Sequence, residues 1–259
     1  MKKVCCINAY IMQNAPSIKQ LVGVPSTVVY FESPHPQDVQ EGRMEYHSVG
    51  SMLRLMNIPC YPVAIAGKAQ LKEKLQELPS VVQLKASSQV FLHFSSHGNK
   101  QGIELYSGEF VSWDDFTDIL STWPLEFKNK LTLCFSTCEG LGSQLIGKGK
   151  WNPQYRYTVA PYRKVEWGES AVAFAVFYYL HVVRGIVIES AISAMNLIAL
   201  RESDINEGQY DVYACIPGTV QATVTRLKNP TVHAGLAKLF EMITDAKNSY
   251  DRGQRGSSH

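Results

Sequence analysis

The stretch Gln89–Phe94 reads Gln-Val-Phe-Leu-His-Phe and contains the unbroken apolar run Val90-Phe91-Leu92. An unbroken apolar run puts apolar side chains on both faces of a strand, which suits it to being covered on both. That points to a sheet with helices on each side, and the rest of the chain supplies the parts. Thr27–Phe31 is β-branched and aromatic and is stopped by Pro34 and Pro36, which predicts a first strand. Glu41–Met56 carries Met44, Val49, Met52, Leu53 and Met56 at helical spacing and predicts a helix. Cys60–Ile65 reads as a second strand and Lys68–Leu78 as an amphipathic helix. Gln89–Phe94 is the third strand, with Ser95–Asn99 following it as a loop. Ile103–Leu105 and Phe110–Val111 flank Tyr106–Glu109 as a small hairpin. Ser112–Asp115 has the form of a capping box, with a helix to about Leu120. Leu131–Phe135 and Arg156–Val159 are the fourth and fifth strands. Ser170–Val182 is apolar around its whole circumference and predicts a buried helix. Gly185 breaks it, and Ile186–Leu200, Asp211–Ile216 and Thr231–Lys247 read as helix, strand and helix. Strands alternating with helices predict an α/β fold with a mostly parallel central sheet and helices on both faces. One domain over residues 1–259 is the simplest division. Residues 1–26 follow no readable pattern, and the polar tail, 252–259, is left out of the fold argument.

Composition narrows the function. With 25 basic and 23 acidic side chains the net charge is +2, so there is no electrostatic case for nucleic acid as a partner. A hydrophobic content of 45% fits a globular chain, not a disordered one. Cysteines stand at 5, 6, 60, 134, 138 and 215. They are too sparse for a disulfide framework and contain no CxxC pair, which argues against a zinc ribbon and for a reducing, cytoplasmic setting. Met1-Lys2-Lys3 before Val4–Ile7 has the outline of a signal peptide, but Asn8 cuts the apolar part short. The longest apolar run, Ala171–Leu180, falls short of the roughly 20 residues a bilayer requires, so no membrane insertion is expected.

In an open parallel sheet, sites form beyond the carboxyl ends of the strands. His97 follows the third strand and Cys138 the fourth. If those strands are neighbours, imidazole and thiol face one crevice. A free thiol is only slightly ionised near neutral pH, and an adjacent imidazole that takes its proton makes it a nucleophile. The backbone N–H groups of Gly98 and Cys138 are then candidate oxyanion donors. Cys134, inside the strand, reads as core. His35, His47, His181 and His233 read as structural or surface residues. Gly142–Gly149 nearly matches a phosphate-binding loop, but Gly149 stands where the Mg²⁺-binding hydroxyl belongs, and Pro153 follows too soon for the helix.

Ser96-His97-Gly98 after one apolar strand and Ser136-Thr137-Cys138-Glu139-Gly140 after the next resemble the caspase-like cysteine peptidases, most nearly their bacterial CHAT branch. Gly102–Leu105, Gly108–Val111, Val165–Gly168, Ala171–Phe174 and Phe177-Tyr178 extend the resemblance over about residues 27–200. Thr137 replaces a more usual alanine. The resemblance implies a caspase-like three-layer fold and a cysteine endopeptidase that needs no metal or organic cofactor. Cys138 would form the acyl-enzyme, and His97 would act as acid and base on a protein substrate. It also implies an effector in bacterial defence or cell death, switched on by a separate activator or sensor protein. The pocket for the residue before the cut maps to Glu32-Ser33, to Ser136 and to the loop from Ala160 to Trp167. Arg163 is the only arginine in these regions, which argues against cleavage after aspartate. Glu32 suits a basic side chain, while a neutral pocket suits a small or apolar one. Two other readings stand beside the peptidase: a catalytically silent binding or scaffold module of the same fold, and a flavodoxin-like nucleotide or phosphate binder.

Overall fold

A computed structural model of the chain describes residues 26–146, 155–161, 163–198 and 210–214. All of them lie in one compact unit. The elements, in chain order, are β1 (Ser26–Ser33), α1 (Pro36–Gln40), α2 (Glu45–Leu55), β2 (Cys60–Ala64), α3 (Lys68–Glu77) and α4 (Val82–Ala86). They continue with β3 (Gln89–Asn99), β4 (Gly102–Glu104), β5 (Phe110–Ser112), α5 (Trp113–Leu120), β6 (Leu131–Ser136), β7 (Tyr157–Pro161), α6 (Trp167–Tyr178), α7 (Ile188–Ile198) and β8 (Tyr210–Ala214).

The main sheet has the order β2-β1-β3-β6-β7-β8, parallel except where β8 meets β7. Side chains alternate across it, as the pleat requires. Val28 and Tyr30 of β1, Phe91 of β3 and Cys134 of β6 face a core closed by Val49 and Leu53 of α2 and Phe174 and Phe177 of α6. Val29, Phe31, Leu92, Phe94, Leu133 and Phe135 face the opposite core, closed by Leu71 and Leu75 of α3 and Phe116 of α5. The expected three layers are present, and β3 is covered on both sides, as suits its apolar run.

Several boundaries differ from expectation, each for a local reason. Ser95–Asn99 is strand, not loop, because β3 runs on past the sheet and pairs antiparallel with β4, His97 opposite Glu104. The helix expected over Glu41–Met56 begins only at Glu45, as α2, and the separate short helix α1 precedes it. Pro36 opens α1 at its first turn, where a missing N–H costs nothing, and Gly42, at φ 72°, turns the chain between the two helices. The capping box at Ser112 is formed, with Ser112 and Asp115 each satisfying the other's backbone N–H. The helix placed at Ser170–Val182 begins earlier, at Trp167, and passes into a π-turn over Tyr179–Val183. It is apolar on all sides but not buried on all sides, since Val172 is 52% exposed. The terminal helix expected at Thr231–Lys247 lies outside the described residues. Among those residues, no helix is long and apolar enough to cross a membrane.

Candidate active site

β3 and β6 are adjacent and parallel, with Ser95 opposite Ser136. Two residues beyond that pair come His97 on the extended end of β3 and Cys138 in the loop after β6. Strand adjacency, which the crevice depended on, is therefore met at the carboxyl edge of the sheet. The loop after β7 reaches both residues. The Cys138 thiol donates to the Val165 carbonyl at 3.6 Å, and the Trp167 ring stands edge-on to His97 with centroids 5.6 Å apart.

The turn that presents the thiol is unusual. Glu139, directly after Cys138, has φ 53°, a left-handed conformation uncommon outside glycine. It is held there by its own N–H on the Arg163 carbonyl at 3.0 Å and by Gly140 N–H on the Thr137 carbonyl at 3.1 Å. Gly98 is a glycine for a packing reason. A Cβ there would come within 2.8 Å of the Gly102 carbonyl and 3.1 Å of Thr137 Oγ1, so the His97 strand and the Cys138 loop touch through it.

His97 is 44% exposed and makes one strong polar contact, Nε2 to Asp38 Oδ2 at 2.7 Å. Asp38 belongs to α1 and is nearly buried. Its other oxygen accepts from Arg43 Nε at 3.0 Å and Nη2 at 2.7 Å. Burial alone would raise the Asp38 carboxyl, but the hydrogen bonds from His97 and Arg43 outweigh it and hold the group below its ordinary value. His35 caps α1 through its ring nitrogen and lies edge-on to His97, centroids 5.9 Å apart. These residues line a cleft of about 450 Å³ together with Glu104 and Phe110. His97 and Cys138 are not hydrogen-bonded to one another. Catalytic hydrogen bonds are often loose before substrate binds.

Of the residues mapped to the pocket before the cut, Glu32 and Ser136 are buried, and Trp167 stands beside His97. Glu32 is 2% exposed, and its Oε1 accepts the Tyr46 N–H at 2.9 Å. It supplies the start of α2 with an acceptor that the helix's own N-cap, Met44, does not provide. Burial pushes the Glu32 carboxyl up to about 8. Ser136 is likewise buried and donates to Glu45 Oε1 at 2.6 Å while meeting Ser170 of α6. It ties the end of β6 to the starts of α2 and α6. Trp167 stays half-buried over His97. None of the three lines the 450 Å³ cleft.

The sequence by itself singled out neither Asp38 nor Arg43. The available signal was a carboxylate between the first strand and the first helix, at the sheet edge where sites form. It carries weight only once β1 is known to lie beside β3. His35, read as a structural or surface residue, is at the cleft. Among the described residues no group of three or more His, Cys, Asp and Glu side chains could hold a metal ion.

No model of a known protein family matches the chain. No curated protein matches it either. Among solved structures, the chain is similar to the Drosophila initiator caspase Dronc, with a TM-score of 0.52 at 11% identity over 77% of this chain and 83% of that one. The fold is caspase-like. A secreted C11 cysteine protease from Bacteroides thetaiotaomicron also matches, with a TM-score of 0.45 at 10% identity over 74% of this chain and 66% of that one.

Proposed function

We propose that the protein is a cysteine endopeptidase in which Cys138 is the nucleophile and His97 its acid and base. The observation that supports this most is placement. Neighbouring parallel strands bring a thiol and an imidazole to the same sheet edge, the thiol on a tight turn and the imidazole beside an open cleft. In the reaction the thiol proton goes to His97 and sulfur adds to the scissile carbonyl carbon. The proton then leaves with the amine as the C–N bond breaks, and water releases the acyl group by the reverse order of steps. The Cys138 N–H has no partner among the described residues, as an oxyanion donor requires. The substrate is a protein, no cofactor takes part, and a separate protein activates the enzyme in a bacterial defence or cell-death setting of the CHAT kind.

One observation favours the silent scaffold. The thiol is engaged by the Val165 carbonyl instead of the imidazole. A thiol-directed peptidyl probe separates the two readings. Covalent labelling of the wild type at Cys138, lost in Cys138→Ala, supports the peptidase. Failure of the probe to label, with peptide libraries left intact, would mean a binding module.

A further inference from the structure

Asp38 reaches His97 from outside the two strands that carry the catalytic pair. Because β1 lies beside β3, the turn from β1 into α1 passes the end of β3 and sets a carboxylate against the imidazole. Its side chain is 4% exposed. A carboxylate so far from water needs its oxygens filled, and here each is: Arg43 takes Oδ1 through two N–H groups, and His97 faces Oδ2. Arg43 is itself tied to Glu41. The carboxylate is thus fixed in direction before any substrate arrives. The rings of His35 and Trp167, both edge-on to His97, limit the ways the imidazole can turn.

An ionised carboxylate only accepts hydrogen bonds. The hydrogen of a neutral His97 ring facing Asp38 must therefore sit on Nε2, and Nδ1 is left as the acceptor. We infer that Asp38 is a positioning residue: by accepting from Nε2 it selects the His97 tautomer whose Nδ1 is free to take the Cys138 proton. The role of Cys138 rests on the peptidase reading; the role of Asp38 toward His97 does not. When the thiol proton moves to Nδ1 and sulfur bonds to the carbonyl carbon, the imidazolium keeps its Nε2–H on Asp38. When the C–N bond breaks, the Nδ1 proton leaves with the amine. Asp38 stays ionised throughout, as in the serine peptidase triad.

The alternative is that Asp38 serves only to anchor α1 through Arg43. A pH profile by itself does not decide, because several charged or titrating groups surround His97. They are Asp38, Arg43, His35, Glu104 across the β3–β4 pairing, the Lys100–Glu139 pair and Glu166 beside Trp167. The deciding measurement is the tautomer. In the full chain with ¹⁵N-labelled histidine, the His97 ring is assigned among the seven histidines by its loss in His97→Ala. Nitrogen shifts above the titration of the ring should report Nε2–H. A wild type holding Nδ1–H, or an even mixture, overturns the inference whether or not any peptide is cleaved. The second measurement is the rate at which iodoacetamide alkylates Cys138 near neutral pH, read by mass spectrometry of the Cys138 peptide. Asp38→Asn should slow it about tenfold or more through loss of thiolate, and Asp38→Glu should restore most of the rate. An unchanged rate in folded Asp38→Asn overturns the inference. If the variant does not fold, the wild-type tautomer still decides. The Nε2–H tautomer with Asp38-dependent alkylation supports the positioning role even where no peptide is cut, which is the result that would defeat the peptidase reading alone.

Discussion

β3 and β6, with the loop that follows β6, carry the same two residue types twice. His93 lies directly opposite Cys134 in the middle of the sheet, and four residues further along the chain come His97, on the end of β3, and Cys138, in the loop after β6. The inner pair is fully buried. His93 stacks on Tyr30 with centroids 4.2 Å apart, and its Nδ1 meets the Tyr178 hydroxyl at 2.9 Å. Burial pushes the Cys134 thiol up to about 12, so it carries no useful thiolate near neutral pH. The outer pair is only partly buried, and its imidazole lines a cleft and has a charged carboxylate partner. Identical functional groups thus become core in one place and a candidate site a short distance away. Solvation and partners make the difference.

Exchanging members of the two pairs tests that contrast. The largest effect is expected at the outer thiol: Cys138→Ala should abolish proteolysis and leave far-UV circular dichroism unchanged, since the side chain caps a surface loop and fills no core. A folded variant that still cleaves at the normal rate would remove Cys138 from the chemistry. His97→Ala should lower turnover by about 10²-fold or more, the scale of general acid–base help, measured on any peptide found to be cut. Cys134→Ala should do the opposite of Cys138→Ala. It should cost roughly 1–2 kcal/mol of stability in urea unfolding, as buried truncations do, with turnover within about twofold of wild type. Large loss of activity without loss of stability at Cys134 would break the division between the pairs.

The smallest effect belongs to the buried carboxyl beneath the site. Burial first of all holds Glu32 at about 8 in the fold, against an ordinary value of 4.5. The folded state therefore binds this proton more tightly than the unfolded chain does. The resulting stabilisation is complete below about pH 4.5 and is lost as pH rises through about 8. Glu32→Gln keeps an acceptor for the Tyr46 N–H and cannot ionise. Thermal melts should show a midpoint that falls less for the variant than for wild type across that range. Parallel curves would mean that Glu32 is ionised in the fold at neutral pH. If the variant also shifts cleavage preference away from basic residues, Glu32 has a part in the pocket that its hydrogen bonding does not reveal.

Local order was written plainly in the chain. The apolar run of β3, the turn residues at Gly108 and the capping box at Ser112 each act through neighbours a few residues away, and all three were legible. So were His97 and Cys138 as reactive groups at strand ends, because their position after apolar runs is itself a local fact. Solvation was not legible at the same level: Glu32 looked like the wall of a pocket and is an internal cap for α2, and Ser136 is a junction of three elements. The strand order was decided only in three dimensions. Nothing in Pro36–Gln40 marks Asp38 as a partner of His97, 59 residues away. Their meeting depends on β1 inserting between β2 and β3, a matter of long-range packing of two hydrophobic cores. The residue types and their elements came from the sequence by itself. Which polar side chains were stripped of water, and which found one another, was decided by the sheet as a whole, because burial and pairing are properties of what lies alongside in space.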